Sequence, residues 1–300
     1  MAHSPEKMNI HSKSPGYGRA FAIGIGLNVF FVALEVFFGL RANSSALLAD
    51  AGHNASDVFS LLFAWTAAWL ATIAPRGKYT YGLRKTTILV SILNALMLFG
   101  AVALIAIDAI RKIRNPEPVA GNQVMIVAGI GFFINAITAL LFMKGRKEDL
   151  NIRGAFLHMA ADAGVSLGVV AAGLLISLTG RQWIDPVTSF LIIAVILWST
   201  WRLFIDSLDL ALDAVPKNIN IDKVRDFLLA REGVTDIHDL HIWAMSTTRV
   251  ALTAHLIMPH GSNDSFIAEL QKELHREFGI SHTTFQIENV QIEKDCSVDC

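Results

Sequence analysis

The sequence predicts an all-α transmembrane domain of six helices, followed by a small cytoplasmic α+β domain of order α-β-β-α-β. Three observations predict it. The 300 residues are 53% hydrophobic and only 17% charged, with a mean hydropathy of +0.47, which is too apolar for one soluble domain. The apolar residues are concentrated in six runs, each of 20 or more residues, within the first two thirds of the chain. After Pro216 the pattern changes to the amphipathic and alternating periods of a soluble domain.

The six runs are Ala20–Leu40, Ala46–Ala74, Thr86–Ile110, Gln123–Met143, Gly154–Leu178 and Trp183–Ile205. A helix rising about 1.5 Å per residue needs roughly 20 residues to cross a hydrocarbon core of about 30 Å. The first run begins late and is too long for the apolar region of a cleavable signal, and no lipidation or retention signal stands out. With both termini inside, the inner segments hold Lys7, Lys13 and Arg19, then Arg76, Lys78, Arg84 and Lys85, then Lys144, Arg146, Lys147 and Arg153. The outer loops hold Arg41, Arg111, Lys112, Arg114 and Arg181. The excess of Lys and Arg inside sets that orientation, with the basic group at 111–114 expected to snorkel at the interface.

In the last third, "NIDKVRDFLLARE" (220–232) has a helical period and is followed by Gly233 as a C′ residue. "VTDIHDLHIWAM" (234–245) and "TRVALTAHLIM" (248–258) read as strands, the second with the alternation of a half-buried strand. "SFIAELQKELHREF" (265–278) is a helix with Asp264 as N-cap and Gly279 beyond its end. "HTTFQIENVQI" (282–292) is a third strand, with Thr283, Phe285 and Ile287 on one face. The expected organisation is a cytoplasmic N-terminal tail over 1–19 and a transmembrane domain over 20–213. A cytoplasmic α+β domain over 214–293 and a Cys-bearing tail over 294–300 follow.

Composition excludes some functions. A net charge of −1 suggests no nucleic-acid partner. No Gly-rich phosphate loop or nucleophile elbow marks an enzyme. Cys296 and Cys300, the two cysteines, sit in a tail expected to be cytoplasmic, where they are reduced thiols and a candidate metal pair.

Ionisable residues inside the apolar runs stand out against this background. "LADAGHNASDV" (48–58) and "FLHMAADAGV" (156–165) both contain His-x-Ala-small-Asp. Residues i and i+4 share a helix face, so His53 projects with Asp57 and His158 with Asp162. Ionisable side chains at bilayer depth are expensive and face a partner or a wet cavity. One such pair reads as an interhelical hydrogen bond. Two pairs together supply two imidazole nitrogens and two carboxylate oxygens, a set suited to tetrahedral zinc. The second and fifth helices run antiparallel. From their expected ends, His53 lies about 13 Å and Asp57 about 20 Å from the outer surface, and His158 about 12 Å and Asp162 about 18 Å from the inner one. Asp162 is then level with His53, and His158 with Asp57. Asp50, one turn outside His53, is a candidate access-path carboxylate. Asn28, Glu35, Asn94 and Asn135 are isolated polar residues within the apolar runs and read as packing contacts.

These blocks, in this order, resemble the cation diffusion facilitator family, most closely its zinc/cobalt/cadmium efflux branch related to eukaryotic zinc transporters. The resemblance rests on "LADAGHNASD", "HMAAD", "HDLHIWAM" and "HTTFQIE" and covers nearly the whole chain. It implies a Zn²⁺/H⁺ antiporter, not an enzyme, working by alternating access as a homodimer in a lipid bilayer. Zn²⁺, with Cd²⁺ or Co²⁺ as related cargo, would be exported from the cytoplasm and H⁺ would be the coupling ion. Its transport site falls on His53, Asp57, His158 and Asp162. It also implies a regulatory metal site in the cytoplasmic domain, at His238, His255 and Glu288, with His241, His282, Cys296 and Cys300 as candidates for a further one. Histidines on the surface of a small domain are otherwise ordinary solvated side chains.

Some features depart from the family pattern. The segment after the second helix reads "YGLRKTT" with no carboxylate, "KGRKEDLN" lacks a histidine-rich insert, and His3 and His11 are too sparse for a metal-collecting tail. From charge and position, Lys85 is expected to pair with an acid at the end of the sixth helix, Asp209 or Asp213, holding the dimer's inner end together. The absent histidine loop suggests a bacterial inner membrane. Two other readings are a membrane metal sensor acting through its tail and, less favoured, a membrane zinc hydrolase, for which no general base accompanies the site.

Overall fold

The computed structural model describes residues 17–143 and 150–289. His3, His11, Cys296, Cys300 and most of "KGRKEDLN" lie outside them. Six long helices come first: α1 (Tyr17–Arg41), α2 (Ser45–Ala71), α3 (Thr86–Arg114), α4 (Gly121–Phe142), α5 (Leu150–Thr179) and α6 (Ile184–Ala211). Among the described residues, α3, α4, α6 and the Phe156–Thr179 part of α5 are long and apolar enough to cross a membrane. The apolar runs coincide with the six helices to within a few residues at each end. Several helices continue past them into polar turns, α3 by the segment to Arg114 and α6 by the segment to Ala211, because backbone hydrogen bonding does not stop where hydrophobicity does. Large apolar side chains point outward: Leu104, Leu141 and Trp198 are 71%, 76% and 80% exposed. Such surface is expected against lipid and not against water.

The chain divides into two compact units. The first comprises Met1–Val58 and Leu104–Ile193, the second Phe59–Ala103 and Ala194–Cys300. In the first unit α4 and α5 pack extensively. Their closest approach is at Gly121 and Gly173, where a Cβ on Gly121 would lie 2.6 Å from the Gly173 carbonyl oxygen. Only glycine at both positions allows that approach, the small-residue packing common between membrane helices.

The second unit holds the remaining helical segments and the α+β domain: α7 (Ile221–Leu229), β1 (Asp236–Ala244), β2 (Val250–Ile257), α8 (Asp264–Phe278) and β3 (Ile280–Glu288). The sheet order is β1-β2-β3, with β2 antiparallel to β1 and parallel to β3 across the α8 crossover. The core is built at helical spacing, with Val224 and Leu228 of α7 and Leu270 and Leu274 of α8 buried against Leu252, Leu256 and Ile280.

Three local expectations change. The N-cap of α8 is Asn263, whose side chain accepts from Phe266 N at 2.8 Å. Asp264 is the first helical residue, where its charge suits the dipole. Helix α7 ends at Leu229 with Ala230 as C-cap, and Gly233 (φ 85°) belongs to the following turn. Strand β2 is buried on nearly every residue instead of on alternate ones, because it is the central strand. Gly279 does cap α8 with left-handed backbone, φ 70°.

Candidate metal centre

The geometry of α2 begins at its outer end, within the first unit. Asp185, wholly buried at the start of α6, accepts from Ser45 N at 2.7 Å and Ala46 N at 3.4 Å, and also bonds the Ser44 hydroxyl. A carboxylate here satisfies free N–H groups of the first turn and suits the positive end of the helix dipole. Lys112 of α3 donates to Ser45 Oγ at 2.9 Å and Asn43 O at 3.0 Å, and pairs with Asp108 at 2.8 Å. Lys112 is only 5% exposed, so it does not snorkel as the sequence suggested. A buried ammonium is tolerated because a carboxylate and two further oxygens surround it. Nothing in the sequence singled out Asp185, apart from its being an acid in the first turn of an apolar run.

Eight residues further along α2, a rise of about 12 Å, stands His53. Its Nε2 lies 3.1 Å from Asp162 Oδ1 of α5 and 4.0 Å from Asp57 Oδ2. His158 Nε2 lies 3.4 Å from Asp57 Oδ2 and 3.7 Å from Asp162 Oδ2. The helices thus cross-pair His53 with Asp162 and His158 with Asp57, the levels expected from antiparallel depth. The imidazole rings meet edge to face, with centroids 6.3 Å apart. Asp162 is nearly enclosed at 3% side-chain exposure, whereas His158 is open at 45%. The cluster therefore has a closed side and an accessible side. Ligand atoms of His53, Asp57 and Asp162 all fall within 4.8 Å of one another, and His158 stands against both carboxylates.

Beside this cluster lies a second pair of acids. Glu35 of α1 and Asp50 of α2 are 0% and 1% exposed. Asn54 Nδ2 donates to Glu35 Oε2 at 2.9 Å, and Ser166 Oγ donates to Asp50 Oδ2 at 3.1 Å. The two carboxyls also reach each other, while Glu35 Oε1 and Asp50 Oδ1 find no donor. Glu35 is thus not a single packing residue, and Asp50 is enclosed where an access path would require it open. Sequence reading missed Asn54 and Ser166, each one helical turn or less from a singled-out residue. Asn135 is buried on α4, and in the second unit Asn94 Nδ2 donates to Ser60 Oγ at 2.7 Å.

The second unit brings another cluster together on the sheet. Cross-strand register places His238 opposite His255, and Ile257 opposite Glu288. His238 Nε2 lies 3.0 Å from Glu288 Oε2 and His255 Nδ1 lies 3.0 Å from Glu288 Oε1. The second contact lacks hydrogen-bond geometry, leaving His255 Nδ1 buried without a partner. Ligand atoms of these three residues lie within 4.8 Å of one another. Asp239, which the sequence did not single out, turns in from the bulge between His238 and His241 with φ 53°. Its oxygens lie 2.8 Å from His241 Nε2 and 3.3 Å from His255 Nε2. The hydrogen bond from His241, followed by the charges of the neighbouring histidines, holds the Asp239 carboxyl below its ordinary range. The hydrogen bond from His238 does the same for Glu288. His282 stays outside the cluster, edge-on to Tyr81 at 5.7 Å.

Lys85 Nζ meets Asp213 Oδ1 at 2.7 Å within the chain, both about half exposed. Asp213, not Asp209, is therefore the partner of Lys85 here, at the end of α6 with φ 61°.

The chain was compared with known proteins. Residues 21–210 match the cation efflux transmembrane domain, and residues 216–290 match the cytoplasmic domain of cation efflux proteins. The metal cation efflux system protein CzcD of Cupriavidus metallidurans is 32% identical over 95% of this chain and 90% of its own. The zinc transporter ZitB of Escherichia coli is 33% identical over 96% and 93%. The cadmium, cobalt and zinc/H(+)-K(+) antiporter of Bacillus subtilis is 32% identical over 90% and 88%. A solved structure of the metal-bound C-terminal domain of the CzcD transporter is 35% identical, covering 23% of this chain and 99% of its own, with a TM-score of 0.21. Twin His/Asp pairs on two apolar helices, a following α+β domain, the two family matches and the three full-length relatives lead to one conclusion: the chain belongs to the cation diffusion facilitator family, integral-membrane cation efflux transporters and not enzymes, with a cytoplasmic C-terminal domain.

Proposed function

We propose that this protein is a Zn²⁺/H⁺ antiporter that exports zinc from the cytoplasm by alternating access, working as a homodimer with both termini inside a bacterial inner membrane. Cadmium and cobalt, which differ little from zinc in this ligand chemistry and occur in the names of the relatives, are candidate further cargo. The observation that carries the reading is the cross-pairing of His53, Asp57, His158 and Asp162. Their four nitrogen–oxygen separations, 3.1 to 4.0 Å, bracket the edge of about 3.4 Å of a tetrahedron with metal–ligand distances near 2.0–2.1 Å. Two nitrogens and two oxygens favour zinc over magnesium, calcium or manganese.

Exchange follows from ligand chemistry. A ligand atom that holds a proton cannot hold the metal, so protons arriving from outside displace zinc at the same atoms. Histidine titrates near neutral pH and is the natural exchanging group. Enclosed Asp162 would anchor the site, and the exposed His158 would face the side from which the ion arrives. His238, His255 and Glu288, with Asp239 beside them, would hold a regulatory zinc in the cytoplasmic domain. His255 Nδ1 favours this, lying 3.0 Å from Glu288 Oε1 without forming a hydrogen bond, because buried polar atoms rarely go without one.

The test is zinc flux into proteoliposomes under an imposed pH gradient, comparing the native chain with Asp57→Ala and Asp162→Ala. Gradient-driven flux that both folded variants lose supports the reading. Normal flux in either variant would end it, and flux indifferent to the gradient would remove the antiport.

A further inference from the structure

The second unit contains a cavity of about 470 Å³ whose chemistry is wrong for a metal ion. Arg84 and Arg249 line it, together with the hydroxyls of Thr87, Thr247 and Thr248. Among the described residues neither guanidinium has a carboxylate partner. Two unpaired positive groups at one opening repel a divalent cation and attract an anion. Guanidinium forks and hydroxyls are the donors that phosphate oxygens accept from.

Apolar side chains form another part of the wall, Phe63, Ala67 and Ala71 on α2, Val90 on α3 and Leu203 on α6, interleaved with Ser60, Thr72, Ser91, Asn94 and Ser246. The cavity continues along α3 from Arg84, just before its first turn, to Asn94, a rise of about 15 Å. It is therefore cationic at the cytoplasmic end of the helices, with apolar side chains further in, before the Asn94–Ser60 hydrogen bond at its far end. Lys78, Tyr79 and Tyr81 lie in the same α2–α3 loop as Arg84. Both tyrosines are about half exposed, and Lys78 lies over the Tyr79 ring. Aromatic and basic residues of this kind settle at the headgroup level of the inner leaflet. The mouth is also fastened: Thr247 N, in the β1–β2 turn, donates to Thr87 Oγ1 at 3.1 Å.

We propose that this cavity binds the phosphate group of an anionic amphiphile, an inner-leaflet phospholipid. The headgroup phosphate would lie between Arg84 and Arg249, and an acyl chain along Phe63, Val90 and Leu203. Such an occupant ties the β1–β2 turn of the cytoplasmic domain to the start of α3. Free phosphate shares the headgroup chemistry but has nothing to place on the apolar wall.

The experiment uses the full chain in a neutral detergent, titrated with short-chain phosphatidylglycerol, phosphatidylcholine of the same chain length, or inorganic phosphate. Binding is read by native mass spectrometry and by the shift in Tm. Phosphatidylglycerol should bind about tenfold more tightly than phosphatidylcholine and lose that advantage as salt rises. Arg84→Gln and Arg249→Gln should each weaken it about tenfold, and Arg84→Lys less, because the fork is lost while the charge stays. Equal binding of the two lipids to the native chain, or arginine variants that bind phosphatidylglycerol as the native chain does, would overturn the site. Inorganic phosphate matching phosphatidylglycerol in affinity would overturn the lipid while leaving a phosphate site. The salt dependence is measured on the native chain, so a variant that fails to fold does not shelter the proposal.

Discussion

Two clusters of histidine and carboxylate occur among the described residues, and they are assembled differently. The membrane cluster takes His53 and Asp57 from one helix and His158 and Asp162 from another, each pair one turn apart. The sheet cluster takes His238, His255 and Glu288 from three different strands, with Asp239 from a bulge. The first has its deepest ligand at 3% exposure and two further buried acids beside it. The second is bordered by solvent, with Asp239 at 42% exposure. A site that must bind and release an ion within a low-dielectric span needs its ligands fixed by helix geometry. A site on a small sheet can be tuned by neighbouring loops at lower cost.

The largest expected effect separates the two clusters by function. Asp162→Ala should lower zinc flux by about two orders of magnitude or more, through loss of the most enclosed ligand and, at several kcal/mol, of the site itself. His255→Ala should leave flux measurable and remove a separate class of zinc sites from the binding isotherm. If both variants lose the same class of sites, the distinction between the clusters collapses.

Next comes the scaffold beneath the sheet cluster. Leu274→Ala removes a fully buried side chain and should destabilise the cytoplasmic domain by about 2–5 kcal/mol. Hydrogen exchange of β2 amides in the full chain would report it, with amides of α4 and α5 in the first unit unchanged. A uniform acceleration throughout the chain would show that the two units do not unfold separately.

Acid should also act on the sheet cluster. Asp239 and Glu288 both have carboxyls held below their ordinary range. Their contribution is therefore complete above about pH 4.5 and lost as pH falls through the lower, folded values. Asp239→Asn should flatten part of that acid-side loss in a titration followed by β2 hydrogen exchange. An unchanged acid limb would mean that the histidine contacts of Asp239 contribute nothing.

Smaller effects remain. Glu35→Gln keeps an acceptor for Asn54 and a neutral donor beside Asp50, so it should change stability by no more than about 1 kcal/mol, read as Tm. A larger fall in Tm would mean that the amide does not replace the Glu35 carboxyl beside Asp50. Lys85 and Asp213 form an exposed pair, and either single charge reversal should cost no more than about 1 kcal/mol. The double swap should restore the native fraction of dimer, measured by light scattering in detergent. A swap that fails to rescue the single reversals removes the pair from any role at a dimer's inner end.

Much of the fold was legible because its signals are local. Long apolar runs locate membrane helices, and the His-x-x-x-Asp spacing places two ligands on one face before any contact is known. Gly279 could be read as a helix cap for the same reason. The partnership of Glu35 with Asp50 was not legible, since it joins two helices and no local spacing relates Glu35 of α1 to Asp50 of α2. Asp239 was not singled out, because only the bulge between His238 and His241 turns it toward the histidines. Lys112 resembled an interfacial lysine because sequence shows its charge and not Asp108 and Ser45 around it.

The sequence by itself determined the order of elements, the long apolar helices and the four candidate ligands of the membrane cluster. These follow from hydrophobic period and helix geometry, which act over a few residues. Only the tertiary structure decided how closely those histidines and carboxylates approach, that Asp185 caps α2, and that Arg84 and Arg249 line one cavity. Those juxtapositions span as many as 165 positions, from Arg84 to Arg249. Chain packing sets such distances, and no local pattern encodes them.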